Sequence, residues 1–101
     1  MQITSQSASG TSTIRLSGRF DFTVHRDFRA AADASLNDDS VNTICIDLQQ
    51  VDYLDSSALG MLLLLNERAK SRNKAITLKN CQGVVRQVLE VAHLDRVFTI
   101  Q

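Results

Sequence analysis

Apolar positions along this chain follow two alternating periods. Thr13-Ile14-Arg15-Leu16-Ser17 alternates polar and apolar, the period of a strand with one buried face. The stretch from Ser5 to Ser12 is rich in Ser, Thr and Gly and predicts a turn between two short strands; Gly18 predicts the end of the second. Val24, Phe28, Ala31, Ala32 and Ser35 then recur at helical spacing, behind Thr23 as N-cap and ahead of Asn37-Asp38-Asp39 as a stop. Val41 to Leu48 predicts a strand with Ile44, Ile46 and Leu48 on one face and Cys45 on the other, a pattern suited to cover on both sides, as in a parallel sheet. After a loop over Gln49 to Leu54, a helix is expected from Asp55-Ser56-Ser57 to about Lys74. Its terminal cations Lys70, Arg72 and Lys74 suit the negative end of the helix dipole. Ala75 to Lys79 predicts a strand with Ile76 and Leu78 inward. Asn80 then caps a third helix carrying Val84, Val85, Val88, Leu89, Val91 and Ala92, and Val97-Phe98-Thr99-Ile100 predicts a final edge strand.

The order strand, strand, helix, strand, helix, strand, helix, strand predicts an α/β architecture in which helices cover a sheet. A length of 101 residues, 44% of them apolar, fits a single domain over 1–101 with one core. Lys plus Arg and Asp plus Glu balance at 11 each, so a basic footprint for nucleic acid or for an anionic membrane is missing. The longest apolar run is Met61 to Leu65, against about 20 residues for a membrane span. No signal peptide is visible at Met1-Gln2-Ile3-Thr4-Ser5, and a soluble, cytoplasmic protein without membrane insertion is expected. Cys45 and Cys81 fit no common metal spacing and read as two buried thiols in a reducing compartment, with a disulfide between them the alternative. No cofactor is implied.

The chemistry concentrates in Val51-Asp52-Tyr53-Leu54-Asp55-Ser56-Ser57-Ala58-Leu59-Gly60-Met61-Leu62. A strand and loop lead into a helix that opens with an acid and two hydroxyls, where free backbone N–H groups and the dipole favour an anion by roughly 0.3–1 kcal/mol. Asp55 or Ser56 also reads as an ordinary cap, and on spacing alone that reading is the commoner.

The motif Asp55-Ser56-Ser57-Ala58-Leu59-Gly60 resembles the signature of the anti-sigma-factor antagonist (STAS) family, whose loop runs Asp-Ser-Ser/Thr-Gly-Leu-Gly after an aromatic or apolar pair. Gly18-Arg19-Phe20-Asp21 is similar to the family's Gly-x-apolar-Asp, and Asn80-Cys81 through Val84, Leu89 and His93-Leu94 resembles its third helix and exit. The resemblance implies a STAS fold, a mixed sheet of about four to five strands with about three to four helices packed against it. It also implies that Ser56 is the phosphoacceptor, with Ser57 its competitor. Asp55 and Asp21 stand beside it for recognition by kinase and partner, together with Ser57, Phe20 and Gly60. The implied partners are an anti-sigma factor with serine-protein kinase activity, or a kinase/phosphatase linked to a response regulator, and a PP2C-type phosphatase that resets the switch. Ala58 departs from the family's usual glycine, as in Gram-negative members that act in biofilm or surface-attachment control.

Other readings of the residues are plainer. The run Leu62 to Leu65 is expected to pack against the sheet, and one of Phe20 and Phe22 to be core and the other exposed. Gly60 permits close approach of strand and helix, or of a partner's backbone. His25 and His93 read as structural or surface histidines. A Ser–His–Asp hydrolase on Ser56 lacks the Gly-x-Ser-x-Gly elbow, so catalysis is not expected. The resemblance leaves one alternative of another class, the STAS subunit of a lipid-transport ABC complex.

Overall fold

The computed structural model describes residues 2–100. The first two strands, β1 (Gln2–Ala8) and β2 (Thr11–Phe20), form an antiparallel hairpin in which Ala8 faces Thr11. Only Ser9 and Gly10 remain for the turn, both with positive φ (52° and 83°), the geometry of a type I′ hairpin. The expected turn over Ser5 to Ser12 therefore shrinks to two residues. The Ser and Thr hydroxyls around it lie on an exposed hairpin, where polar side chains carry no penalty.

Strand β2 does not stop at Gly18. It runs on to Phe20, with Gly18 at φ 103° between two register shifts against the next strand. Glycine absorbs the local twist, so the strand bends without breaking. The third strand, β3 (Thr43–Leu54), pairs in parallel with β2 and swallows the expected loop over Gln49 to Leu54. The shifts leave extra residues on β3, and this hides the period of two from the sequence. Strands β4 (Ala75–Lys79) and β5 (Thr99–Ile100) complete a sheet of order β1-β2-β3-β4-β5. The last strand begins only at Thr99, because the amides of Val97 and Phe98 both donate to the Leu94 carbonyl, at 3.0 and 2.9 Å, behind the 3-10 turn over Leu94–Arg96.

Three helices fill the crossovers: α1 (His25–Leu36), α2 (Ser56–Lys70) and α3 (Gly83–Val91). A bond of 2.6 Å between the buried hydroxyls of Ser12 and Ser35 ties α1 to the face of β2 that carries Ile14 and Leu16. In register with them, Ile44, Ile46, Ile76 and Leu78 complete that apolar face. The opposite face carries Thr13, Arg15, Ser17, Lys79 and Thr99, all exposed or half-buried. The pattern of β3 had suggested cover on both sides, but this face is polar. Cys45 and Asp47 are buried on it, Cys45 flanked in register by Thr13 and Thr77.

Helix α2 ends at Lys70, short of Lys74. The cations beyond it serve another helix. Arg72 donates to the Leu36 carbonyl at 3.0 Å and Lys74 to those of Ser35 and Asp38 at 3.1 and 2.6 Å, so both close the C-terminus of α1. The dipole logic holds, but its object was set by packing. Asn80 does not cap α3 either; Gln82 occupies the cap position. Asn80 sits at φ 60°, a conformation asparagine tolerates, and its amide donates to Asp47 Oδ1 at 3.0 Å. Thr23 likewise yields the cap to Asp21, which closes a 3-10 turn over Phe22–Val24 that leads into α1.

Candidate functional site

The parallel pairing of β2 and β3 sets Phe20 beside Leu54, so the chain leaves both strands at the same end of the sheet. One exit carries Asp21 and Phe22; the other carries Asp55 and Ser56. They are tied together by the Asp55 amide, which donates to the Phe20 carbonyl at 3.3 Å. Two motifs some thirty residues apart in sequence thus meet at one sheet end, as β-α-β crossovers dictate.

Each acid caps its own turn. Asp55 Oδ1 accepts from the Ala58 amide at 2.9 Å with the residue in extended conformation, the arrangement of an N-cap. Asp21 Oδ1 accepts from the Thr23 amide at 3.0 Å and from the Thr23 hydroxyl, and Arg19 approaches its other oxygen at 3.7 Å. The Thr23 hydroxyl and amide, with Arg19 behind them, hold the Asp21 carboxyl below the usual carboxylate range. Arg19 also lies 4.1 Å from the centre of the Tyr53 ring, a cation–π contact that fixes this rim.

Ser56 is the first residue of α2 and Ser57 the second, and both are exposed. The Ala58 amide is satisfied by Asp55, and the amides of Ser56 and Ser57 belong to the orphan donors of a helix start. Along the same helix, Gly60, Leu63 and Leu64 are exposed while Ala58, Met61, Leu62, Leu65 and Ala69 are buried. The expectation that all of Leu62 to Leu65 packs inward fails for a geometric reason. At 3.6 residues per turn, four consecutive side chains span every face of the helix, so only Leu62 and Leu65 reach the sheet. The resulting exposed stripe runs from the two hydroxyls across Gly60 to two leucines. The i, i+3, i+4, i+7 spacing of Ala58, Met61, Leu62 and Leu65 was the signal that could have separated them.

Phe20 is fully buried, its ring 5.1 Å from that of Phe28. It offers nothing to a partner, which corrects its expected place in a contact surface. A residue that ends a strand beneath a helix turns inward by strand parity. The exposed aromatic is Phe22, at 69% of its full surface. Apart from Gly60, its two neighbours and the surrounding turns of its own helix backbone, no atom lies within 4 Å of where a Cβ on Gly60 would stand, so Gly60 does not serve close packing of strand and helix. Leu63 and Leu64 on α2, Phe22 after β2 and Tyr53 near the end of β3 are large apolar groups left exposed.

The remaining reactive groups are quiet. Cys45 and Cys81 are free and buried, and burial pushes the Cys81 thiol up to about 11 and raises that of Cys45. Among the described residues no group of His, Cys, Asp and Glu is arranged to hold a metal ion, and no helix is long and apolar enough to cross a membrane.

Comparison with known proteins places this geometry. A STAS-domain containing protein of Pseudomonas aeruginosa is 43% identical over 88 residues, which cover 87% of this chain and 85% of that protein. Among solved structures, an anti-sigma factor antagonist from Mycobacterium paratuberculosis superposes with a TM-score of 0.86 at 22% identity, covering 98% of this chain and 83% of the other. The Bacillus cell fate determinant SpoIIAA in its phosphorylated form gives 0.76 at 21% identity, covering 99% and 91%. The sequence model described as "Mlab, STAS domain" matches residues 3–100, and the chain belongs to the STAS domain family.

Proposed function

We propose that this chain is a phosphorylation-switched binding protein of the anti-sigma-factor antagonist type, with Ser56 as the phosphoacceptor. The observation that carries the reading is the exposed Ser56 hydroxyl at the first position of α2, heading an exposed stripe of Gly60, Leu63 and Leu64. The unphosphorylated face docks an anti-sigma factor with kinase activity, or an equivalent regulator, and a PP2C-type phosphatase restores it.

Phosphorylation adds about −1.5 to −2 charges at neutral pH. Solvent and the helix N-terminus accommodate that charge while the surface is wet. Covering it with a partner strips the solvent at a cost of several kcal/mol, with Asp55 and Asp21 close by and Arg19 already engaged. At roughly 1.4 kcal/mol per decade, affinity falls on the order of a thousandfold without any refolding.

The test is to incubate wild type, Ser56→Ala and Ser57→Ala with ATP and a serine kinase recovered by affinity purification on the unmodified chain, and to map phosphate by mass spectrometry. Ser56→Ala is expected to remain unlabelled and Ser57→Ala to be labelled. The reverse pattern moves the site by one residue. A phosphorylated protein that binds its partner as tightly as the unmodified one refutes the electrostatic release. Membership of the STAS family, matched over residues 3–100, is equally compatible with one other reading, a STAS subunit of a lipid-transport ABC complex. Recovery of a transport ATPase instead of a kinase on affinity purification selects it.

A further inference from the structure

The two edges of the sheet are unlike. Among the described residues β5 pairs over two, Thr99 and Ile100, whereas β1 offers seven, Gln2 to Ala8, with no described strand beyond it. Soluble proteins guard such edges with lysine, proline, inward charges or bulges. None of these occurs in Gln2-Ile3-Thr4-Ser5-Gln6-Ser7-Ala8, and its pairing with β2 is continuous.

The two-residue turn fixes which backbone groups are free. Ala8 and Thr11 close the hairpin, so Ala8, Gln6, Thr4 and Gln2 direct their N–H and C=O groups to β2. Ile3, Ser5 and Ser7 then turn theirs outward, three donors and three acceptors in a row. An antiparallel partner centred on Ser5 satisfies all of them, pairing Ser5 with its own copy and Ile3 with Ser7 of the other strand. On the helix-covered face the half-buried Ile3 side chain gains a neighbour, and on the open face Thr4 meets Gln6.

We infer that β1 pairs with β1 of a second copy of this chain about a twofold axis at Ser5, joining two sheets into one. A copy of itself is the occupant the observations favour. An antiparallel strand pair is self-complementary, so both copies use the same patch and the assembly closes at two. The strand carries no charged side chain, and the whole chain has a formal net charge of zero, so no net-charge repulsion opposes the approach of two copies. The inference is independent of the phosphorylation site.

Analytical ultracentrifugation across a concentration series tests it, with hydrogen exchange read at the dimeric end. Wild type is expected to show a monomer–dimer equilibrium, with the amides of Ile3, Ser5 and Ser7 exchanging more slowly as dimer forms. Ser5→Pro removes an outward N–H without touching the bonds to β2, and is expected to weaken dimerisation at least tenfold. Ser5→Lys sets two cations together at the axis and acts in the same direction, which covers the case in which the proline variant folds poorly. A wild type that stays monomeric up to about 1 mM overturns the inference. So does a dimer that both variants preserve, and so does an edge that captures an extended foreign peptide while its own copies stay apart.

Discussion

Asp55 is where the architecture and the proposed switch meet, and its two contributions can be separated by substitution. Its Oδ1 accepts from the Ala58 amide at 2.9 Å, and its charge stands at the positive end of a helix that runs from Ser56 to Lys70. Asp55→Ala removes both. Loss of a capping side chain costs about 1 kcal/mol, and loss of the charge at a helix start a further 0.3–1 kcal/mol. Asp55→Asn keeps an acceptor of the same shape and loses only the charge. For a domain of this size each kcal/mol moves the melting temperature by about 4–8 °C. Alanine is therefore expected to lower it by roughly 5–16 °C, and asparagine by about half as much or less. Calorimetry or circular dichroism at neutral pH measures both shifts. Repeating the melts in 1 M salt sharpens the test, because screening erases the charge contribution and leaves the hydrogen bond. The asparagine variant should then approach wild type while the alanine variant stays low. Equal losses in the two variants, or no loss in alanine, would refute the account of how the Ser56 end of α2 is held.

Gly60→Ala fills open space on an exposed helix face and is expected to stabilise the fold by up to about 1 kcal/mol, seen as a higher melting temperature; if the stripe is the docking face, the same variant binds the partner more weakly. Asp47 is 4% exposed. Burial pushes its carboxyl up, but hydrogen bonds from Asn80, the Gln49 amide and Arg15 outweigh it and hold the group below its ordinary value. A depressed carboxyl stabilises the fold fully above its unfolded value near 3.8, and that contribution disappears as pH falls toward the lower folded value. Asp47→Ala is therefore expected to cost about 1.5–3 kcal/mol at neutral pH and progressively less in acid, measured by urea melts between neutral and pH 3. A pH-independent difference refutes that role.

The legibility of this chain varied with how local the deciding interaction is. Alternation of strand and helix, the capping acid at Asp55 and the exposed hydroxyls after it were readable, because periodicity and capping are properties of adjacent residues. The motif at Ser56 was found by its resemblance to a family, and its spacing alone would have passed for a cap. The far half of β3 and the continuation of β2 past Gly18 were not readable, since strand bulges interrupt the alternation on which the reading depends. The same holds for Asn80, whose partner Asp47 lies 33 positions away in the chain.

What the sequence determined alone was the set of local preferences: which segments repeat at two or at 3.6, where a turn must form, and which side chains can close a helix. Only the tertiary structure decided which of the four leucines of α2 face water, that Phe20 is sealed and Phe22 open, and that Arg72 and Lys74 serve α1. It also brought the Asp21 and Asp55 turns to one end of the sheet. The physical reason is that burial and long-range hydrogen bonds depend on which surfaces the folded chain presses together. That outcome is settled by the whole sheet and its crossovers, and no single segment encodes it.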